Sequence, residues 1–132
     1  FLNPKANYRH QVISLIHELS HAVIKLENLE NNKFESEKKA FQIEIEILKK
    51  KDLYEAFLLE ALYNYFLPVL FELNVYQNPN QNFSKLYAEI NNQLFLGAKQ
   101  KENPLYLINT GIVSNPLIFL PHVIALYSLF KN

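Results

Sequence analysis

Apolar residues recur along this chain at three- and four-residue steps, the period of an amphipathic α-helix. The first run is Val12, Leu15, Ile16, Leu19, Val23 and Leu26. It predicts a helix from about Lys5 to about Leu29 with that face in the core. Asn3-Pro4 supplies an N-cap followed by a proline in the first turn, and Asn28, Asn31 and Asn32 supply an end. The second block, Phe34 to Lys51, carries two periods at once. Phe41, Ile43, Ile45 and Ile47 alternate with Gln42, Glu44 and Glu46 as in a strand, whereas Phe34, Phe41, Ile45 and Leu48 form a helical seam. Its Glu, Lys, Gln, Leu and Ala content favours a helix capped by Asn32 or Ser36, with a short strand near 41–48 as the alternative.

The remaining elements follow from turn chemistry. Asp52 is placed to cap a third helix, Leu53 to Leu73, on which Tyr54, Phe57, Ala61, Tyr65 and Phe66 fall at helical spacing and Pro68 predicts a bend. Asn78-Pro79-Asn80 marks a loop within 74–81. A fourth helix starts at Asn82 or Ser84 and ends at Gly97, residues 99–104 form a polar linker, and Asn109-Thr110-Gly111, Asn115-Pro116 and Pro121 break the tail before a last helix, Pro121 to Phe130. The expected fold is mainly α: one helical domain over residues 1–132, with about five helices.

Composition narrows the function classes. With 132 residues, 49% of them hydrophobic, the chain can bury a core and does not resemble a disordered polymer. Thirteen basic side chains balance thirteen acidic ones, which argues against a nucleic-acid partner. The balance hides a gradient: residues 1–51 hold nine basic and seven acidic groups, 52–98 one and five, and 99–132 three and one. No Cys is present, which removes disulfide frameworks, Cys-ligated zinc and thiol nucleophiles. Leu53 to Leu73 carries Glu55, Glu60, Asn64, Glu72 and Pro68, and Pro116 to Phe130 is short of the roughly 20 apolar residues of a span, so both read as core helices rather than membrane spans. An apolar C-terminus can still act as an interfacial anchor. The chain opens on Phe1 without any Met, as a trimmed fragment of a longer chain would, and no signal-peptide pattern follows, which favours the cytoplasm.

The chemistry concentrates in the first helix, at His17-Glu18-Leu19-Ser20-His21, an H-E-x-x-H motif. Four residues advance a helix by about 400°, so the two imidazoles stand one turn apart on nearly one face and can meet one tetrahedral ion. Zinc so held lowers the pKa of water towards about 7, and Glu18 is placed to act as its general base. With 4 His and 12 Glu in the chain, the motif arises by chance about once in a hundred such sequences. The bland alternative is an amphipathic helix that happens to carry these side chains.

Ile13 to Ala22, reading I-S-L-I-H-E-L-S-H-A, resembles the site helix of the zincin metallopeptidases. The resemblance spans about residues 8–48. In gluzincin-like branches the third zinc ligand is a Glu of the next helix followed three residues later by Ala, and Glu37-Lys38-Lys39-Ala40 fits that pattern. The resemblance therefore implies zinc on His17, His21 and Glu37, Glu18 as base, and hydrolysis of a peptide or protein substrate. It also implies Leu19 and Ala22 packed into the core, and an α+β variant of the fold with a small sheet partly missing upstream. The metzincin third His is absent, because Ile24 and Glu27 stand where its extension would run, and Ser20 replaces a common Gly.

Other candidates carry weaker signals. Glu35 and Glu44 compete with Glu37 as third ligand. Glu44 lies two turns after Glu37 and could instead orient a ligand histidine. His122, at the start of the last helix, is a candidate transition-state stabiliser by analogy with zincins, set against a half-buried His with a satisfied bond. His10 is about 10 Å along the helix from His17, too far to share an ion. The alternative to an enzyme is a non-catalytic helical module, a degenerate zincin or an unrelated bundle, that binds a protein partner or a second copy through apolar helix faces.

Overall fold

The computed structural model describes residues 8–27, 32–95 and 115–131, without the side chain of His10. The chain is mainly helical, and no strand occurs among the described residues. The helices are α1 (Tyr8–Leu26), α2 (Lys33–Lys50), α3 (Tyr54–Ala61), a π-helical turn (Leu62–Phe66), α4 (Leu67–Gln77), α5 (Phe83–Leu94) and α6 (Leu120–Phe130). Because Tyr54–Gln77 is helical throughout, these make five rods among the described residues. The strand expected as an alternative near 41–48 is helix instead. Phe41, Glu44 and Leu48 are buried on one face while Gln42, Glu46 and Ile47 are exposed, which is a 3.6-residue rather than a 2-residue alternation. The Asn3-Pro4 cap, Asn28, Asn31, Gly97, the 99–104 linker and the 109–111 turn lie outside the described residues.

Caps explain the ends that are described. Asn32 Oδ1 accepts from Glu35 N at 2.9 Å and starts α2, and Asn82 Oδ1 accepts from Lys85 N at 3.0 Å and starts α5. Asp52 does not cap the third helix. It adopts φ 57°, a left-handed conformation that Asp tolerates, and turns the chain out of α2. Pro68 sits in the first turn of α4, where its missing N–H interrupts the helical ladder. The disruption takes the form of the π turn just upstream, and α4 then runs on to Gln77, a turn beyond the expected end. By length and composition Tyr54–Gln77 could cross a membrane: its best 18-residue window has mean hydropathy 1.3 and is 39% buried, a test that core helices also pass.

The chain divides into two compact units, Phe1–Ala61 with Pro121–Asn132, and Leu62–Leu120. In the first, α1 packs on α2 and α3 contacts both. Ile24, Ala40, Phe41, Leu48, Phe57, Ala125 and Leu126 are its deeply buried apolar residues. Each large one contributes about 1.5–3 kcal/mol on burial. In the second, Leu67, Phe71, Leu86, Tyr87 and Ile90 form the core between α4 and α5, with Phe71 edge-on to Tyr87 at 5.4 Å. Glu72 is buried there, and its Oε2 accepts from Leu117 N–H at 2.7 Å and from the Tyr76 hydroxyl at 3.0 Å. The first of these bonds anchors Leu117, at φ 55°, in the turn ahead of α6.

The orientation of α1 departs from expectation. Its buried face is Ile13, His17, Ser20 and Ile24, whereas Leu15, Leu19, Val23 and Leu26 are exposed, as is Ala22. The helix buries its histidine and serine side and turns its leucine stripe outward. Leu19 and Ala22 are therefore not core residues of this unit.

Candidate metal centre

Three elements of the first unit converge on one spot. α1 supplies His17 and His21 one turn apart, α2 supplies Ser36, Glu37 and Glu44, and α6 supplies His122. His17 Nε2 and His21 Nε2 are 3.2 Å apart, His21 Nε2 is 3.2 Å from Glu37 Oε2, and His17 Nε2 is 3.6 Å from the same oxygen. Ligands about 2.0–2.1 Å from a tetrahedral ion stand about 3.3 Å from one another. The three edges match that triangle, and these residues could hold a metal ion.

The far sides of both rings fit the same role. His17 Nδ1 pairs with the Glu44 carboxylate through Oε2 at 2.8 Å, and His21 Nδ1 pairs with the Ser36 hydroxyl at 3.3 Å. With each Nδ1 engaged in this way, the Nε2 atoms are the ones turned towards Glu37 Oε2. Two imidazole lone pairs this close repel unless a proton or a cation lies between them. Phe41, with its ring 4.9 Å from that of His17, and Phe57 behind it make an apolar floor. Ser20, buried on the same face of α1, returns its hydroxyl to Ile16 O at 2.8 Å and makes no demand on the centre.

The electrostatics follow from the crowding. Burial opposes charge on His17, but the carboxylates of Glu37 and Glu44 outweigh it and raise its pKa to about 9. Burial pushes Glu37 up, yet the neighbouring imidazoles win and hold it far below the ordinary carboxylate range. Burial dominates at Glu44 and raises it despite His17. Burial likewise lowers His122 to about 4, so its ring is neutral at pH 7. A cation bound at His17 Nε2 would have to displace the proton that the two carboxylates favour on that ring.

Of the residues singled out from sequence, His17, His21 and Glu37 come together, and Glu44 reaches His17. His122 Nε2 lies 3.3 Å from Glu37 Oε2. Glu35 lends its backbone N–H to the Asn32 cap and is not in the group of three. Glu18 is exposed and makes no hydrogen bond or ion pair among the described residues. From sequence alone Ser36 is only a cap candidate. Its position immediately before Glu37, on the element that provides the third ligand, was the available signal. No family model, curated protein or solved structure matches the chain.

Proposed function

We propose that the chain is a small zinc-dependent hydrolase of zincin type that cleaves peptide bonds. The observation that carries this reading is the tetrahedral spacing of His17 Nε2, His21 Nε2 and Glu37 Oε2 on an H-E-x-x-H helix and its neighbour. Two imidazoles and one carboxylate are a donor set suited to zinc, and three protein ligands leave a fourth position open, as catalytic rather than structural sites do. When bound, zinc supplies Lewis acidity, which makes water a nucleophile near neutral pH. Glu44 and Ser36 engage Nδ1 of His17 and His21, which leaves the Nε2 atoms for the metal. Glu18 follows His17 directly in sequence and is open to solvent; in the proposed reaction its carboxylate takes a proton from the attacking water and passes it to the leaving nitrogen as the C–N bond breaks. The substrate is a peptide or protein segment.

The test is metal analysis and peptide hydrolysis on the same preparation. One zinc per chain, lost in His17→Ala, together with chelator-sensitive cleavage of a mixed peptide substrate, is expected. A correctly folded wild type that takes no zinc overturns the reading.

One observation favours a second reading, a metal-stabilised interaction module without catalysis. Leu15, Leu19 and Leu26 on α1 are 48%, 56% and 84% exposed. A module would bind zinc and show no hydrolysis, and Glu18→Gln would leave its behaviour unchanged.

A further inference from the structure

Glu37 Oε2 is met by three imidazole nitrogens rather than two. His21 Nε2 lies at 3.2 Å, His122 Nε2 at 3.3 Å and His17 Nε2 at 3.6 Å. His122 nevertheless stands outside the group whose ligand atoms all lie within 4.8 Å of one another. It touches the ligand oxygen without joining the ligand set. Both partners are sequestered, with side chains 14% and 9% exposed. The His122 ring is walled in by aromatic neighbours, 6.0 Å edge-on from Phe41 and 6.3 Å from the ring of His17. A ring packed in this way presents its Nε2 in a fixed direction.

We propose that His122 is a positioning residue of the metal centre: its Nε2–H donates to Glu37 Oε2 and holds that oxygen towards the paired nitrogens of His17 and His21. This rests on the reading that those three residues bind a divalent ion. The physical need is specific to a glutamate ligand. Its three side-chain torsions and two equivalent oxygens allow many poses, most of which do not complete the triangle. The histidines have their own partners through Nδ1, Glu44 for His17 and Ser36 for His21. His122 does for Glu37 what those residues do for the imidazoles, and groups of that kind typically change metal affinity 10–100-fold when removed. The last helix, remote in sequence from the motif, thereby becomes part of the centre.

The experiment uses the full chain and zinc alone as probe, with competition against a chromophoric chelator. His122→Leu is expected to bind zinc at least tenfold more weakly than wild type. His122→Gln, which keeps an N–H near the place of Nε2, is expected to come within about threefold of wild type. In zinc-loaded wild type, nitrogen–proton correlation spectra should show His122 carrying its proton on Nε2 and no metal, while His17 and His21 carry theirs on Nδ1. His122→Leu binding as tightly as wild type overturns the proposal, as does a metallated or unprotonated His122 Nε2. Should His122→Leu fail to fold, the wild-type spectrum decides alone. Wild type that binds no zinc at all defeats the underlying metal reading, a result distinct from the others.

Discussion

Glu44 Oε2 lies 2.8 Å from His17 Nδ1, both side chains buried and 27 residues apart in sequence. The bond crosses from α2 to α1 and aims the opposite nitrogen of His17 at His21 and Glu37. Removing its charge should loosen the ring and make Nε2 a poorer ligand. Glu44→Gln is expected to weaken zinc binding by about 10–100-fold while helicity is retained. Chelator competition alongside circular dichroism measures both. Unchanged affinity would show that Glu44 is a packing residue and nothing more.

The pH dependence of the metal-free protein should report the same cluster. His17 is raised to about 9 in the fold, so its contribution to stability is complete below its unfolded pKa of about 6.5 and is lost as pH rises towards 9. His122 is lowered to about 4, so the unfolded chain takes up a proton that the fold refuses, and stability falls as pH drops from about 6.5 towards 4. Glu37, held low by its imidazole neighbours, adds a further loss at the acid extreme. Glu44, raised by burial, works against the His122 loss on the acid side, so the clear expectation is a fall in stability from about pH 6.5 to 8.5, with a slope of at most about 1.4 kcal/mol per pH unit for each proton involved. Urea unfolding in chelator at pH 5, 6.5 and 8.5 tests this, and a flat profile or a maximum at pH 8.5 would contradict it.

Much of this centre was legible in the sequence because its geometry is local. His17 and His21 share a face by helix arithmetic alone, and Glu37 and Glu44 are two turns apart on the next helix, so a single α1–α2 packing brings all four together. His122 was only a weak candidate, because its position depends on how the last helix docks, which periodicity does not encode. The buried face of α1 departs from the apolar pattern for a related reason. Hydrophobicity ranks Leu15, Leu19 and Leu26 above His17 and Ser20, but the polar groups bury because each finds a partner: Glu44 for His17 and Ile16 O for Ser20. The second helix was ambiguous because its isoleucines alternate. Its buried Glu37 and Glu44, seven residues apart, match helical and not strand spacing.

Glu18 separates the two functional readings. It is exposed and bonded to none of the metal-binding side chains, so its replacement should leave the ion in place. For a hydrolase, Glu18→Gln should lower kcat by about 10²–10⁴-fold with zinc affinity within threefold of wild type. Matched zinc titrations and peptide-cleavage assays resolve this. Equal cleavage rates in both proteins would remove Glu18 from the mechanism.

The inverted burial of α1 gives a prediction independent of any metal. Ile24 is 1% exposed and Leu19 56% exposed on the same helix. If the leucine stripe were the core face, Leu19→Ala would cost as much as a buried truncation. With this packing, Ile24→Ala should cost about 2–5 kcal/mol, because it removes buried methylenes and leaves a cavity. Leu19→Ala removes atoms that are largely in water already, so it should cost under about 1 kcal/mol. Paired urea melts of the two variants, run below the concentration at which wild type self-associates, give the comparison. A large loss at Leu19 with wild type monomeric would place that side chain in a core and reverse the assigned orientation of α1. A large loss that grows with protein concentration would mean instead that Leu15, Leu19, Val23 and Leu26 pack against a second copy, since stability coupled to association depends on concentration.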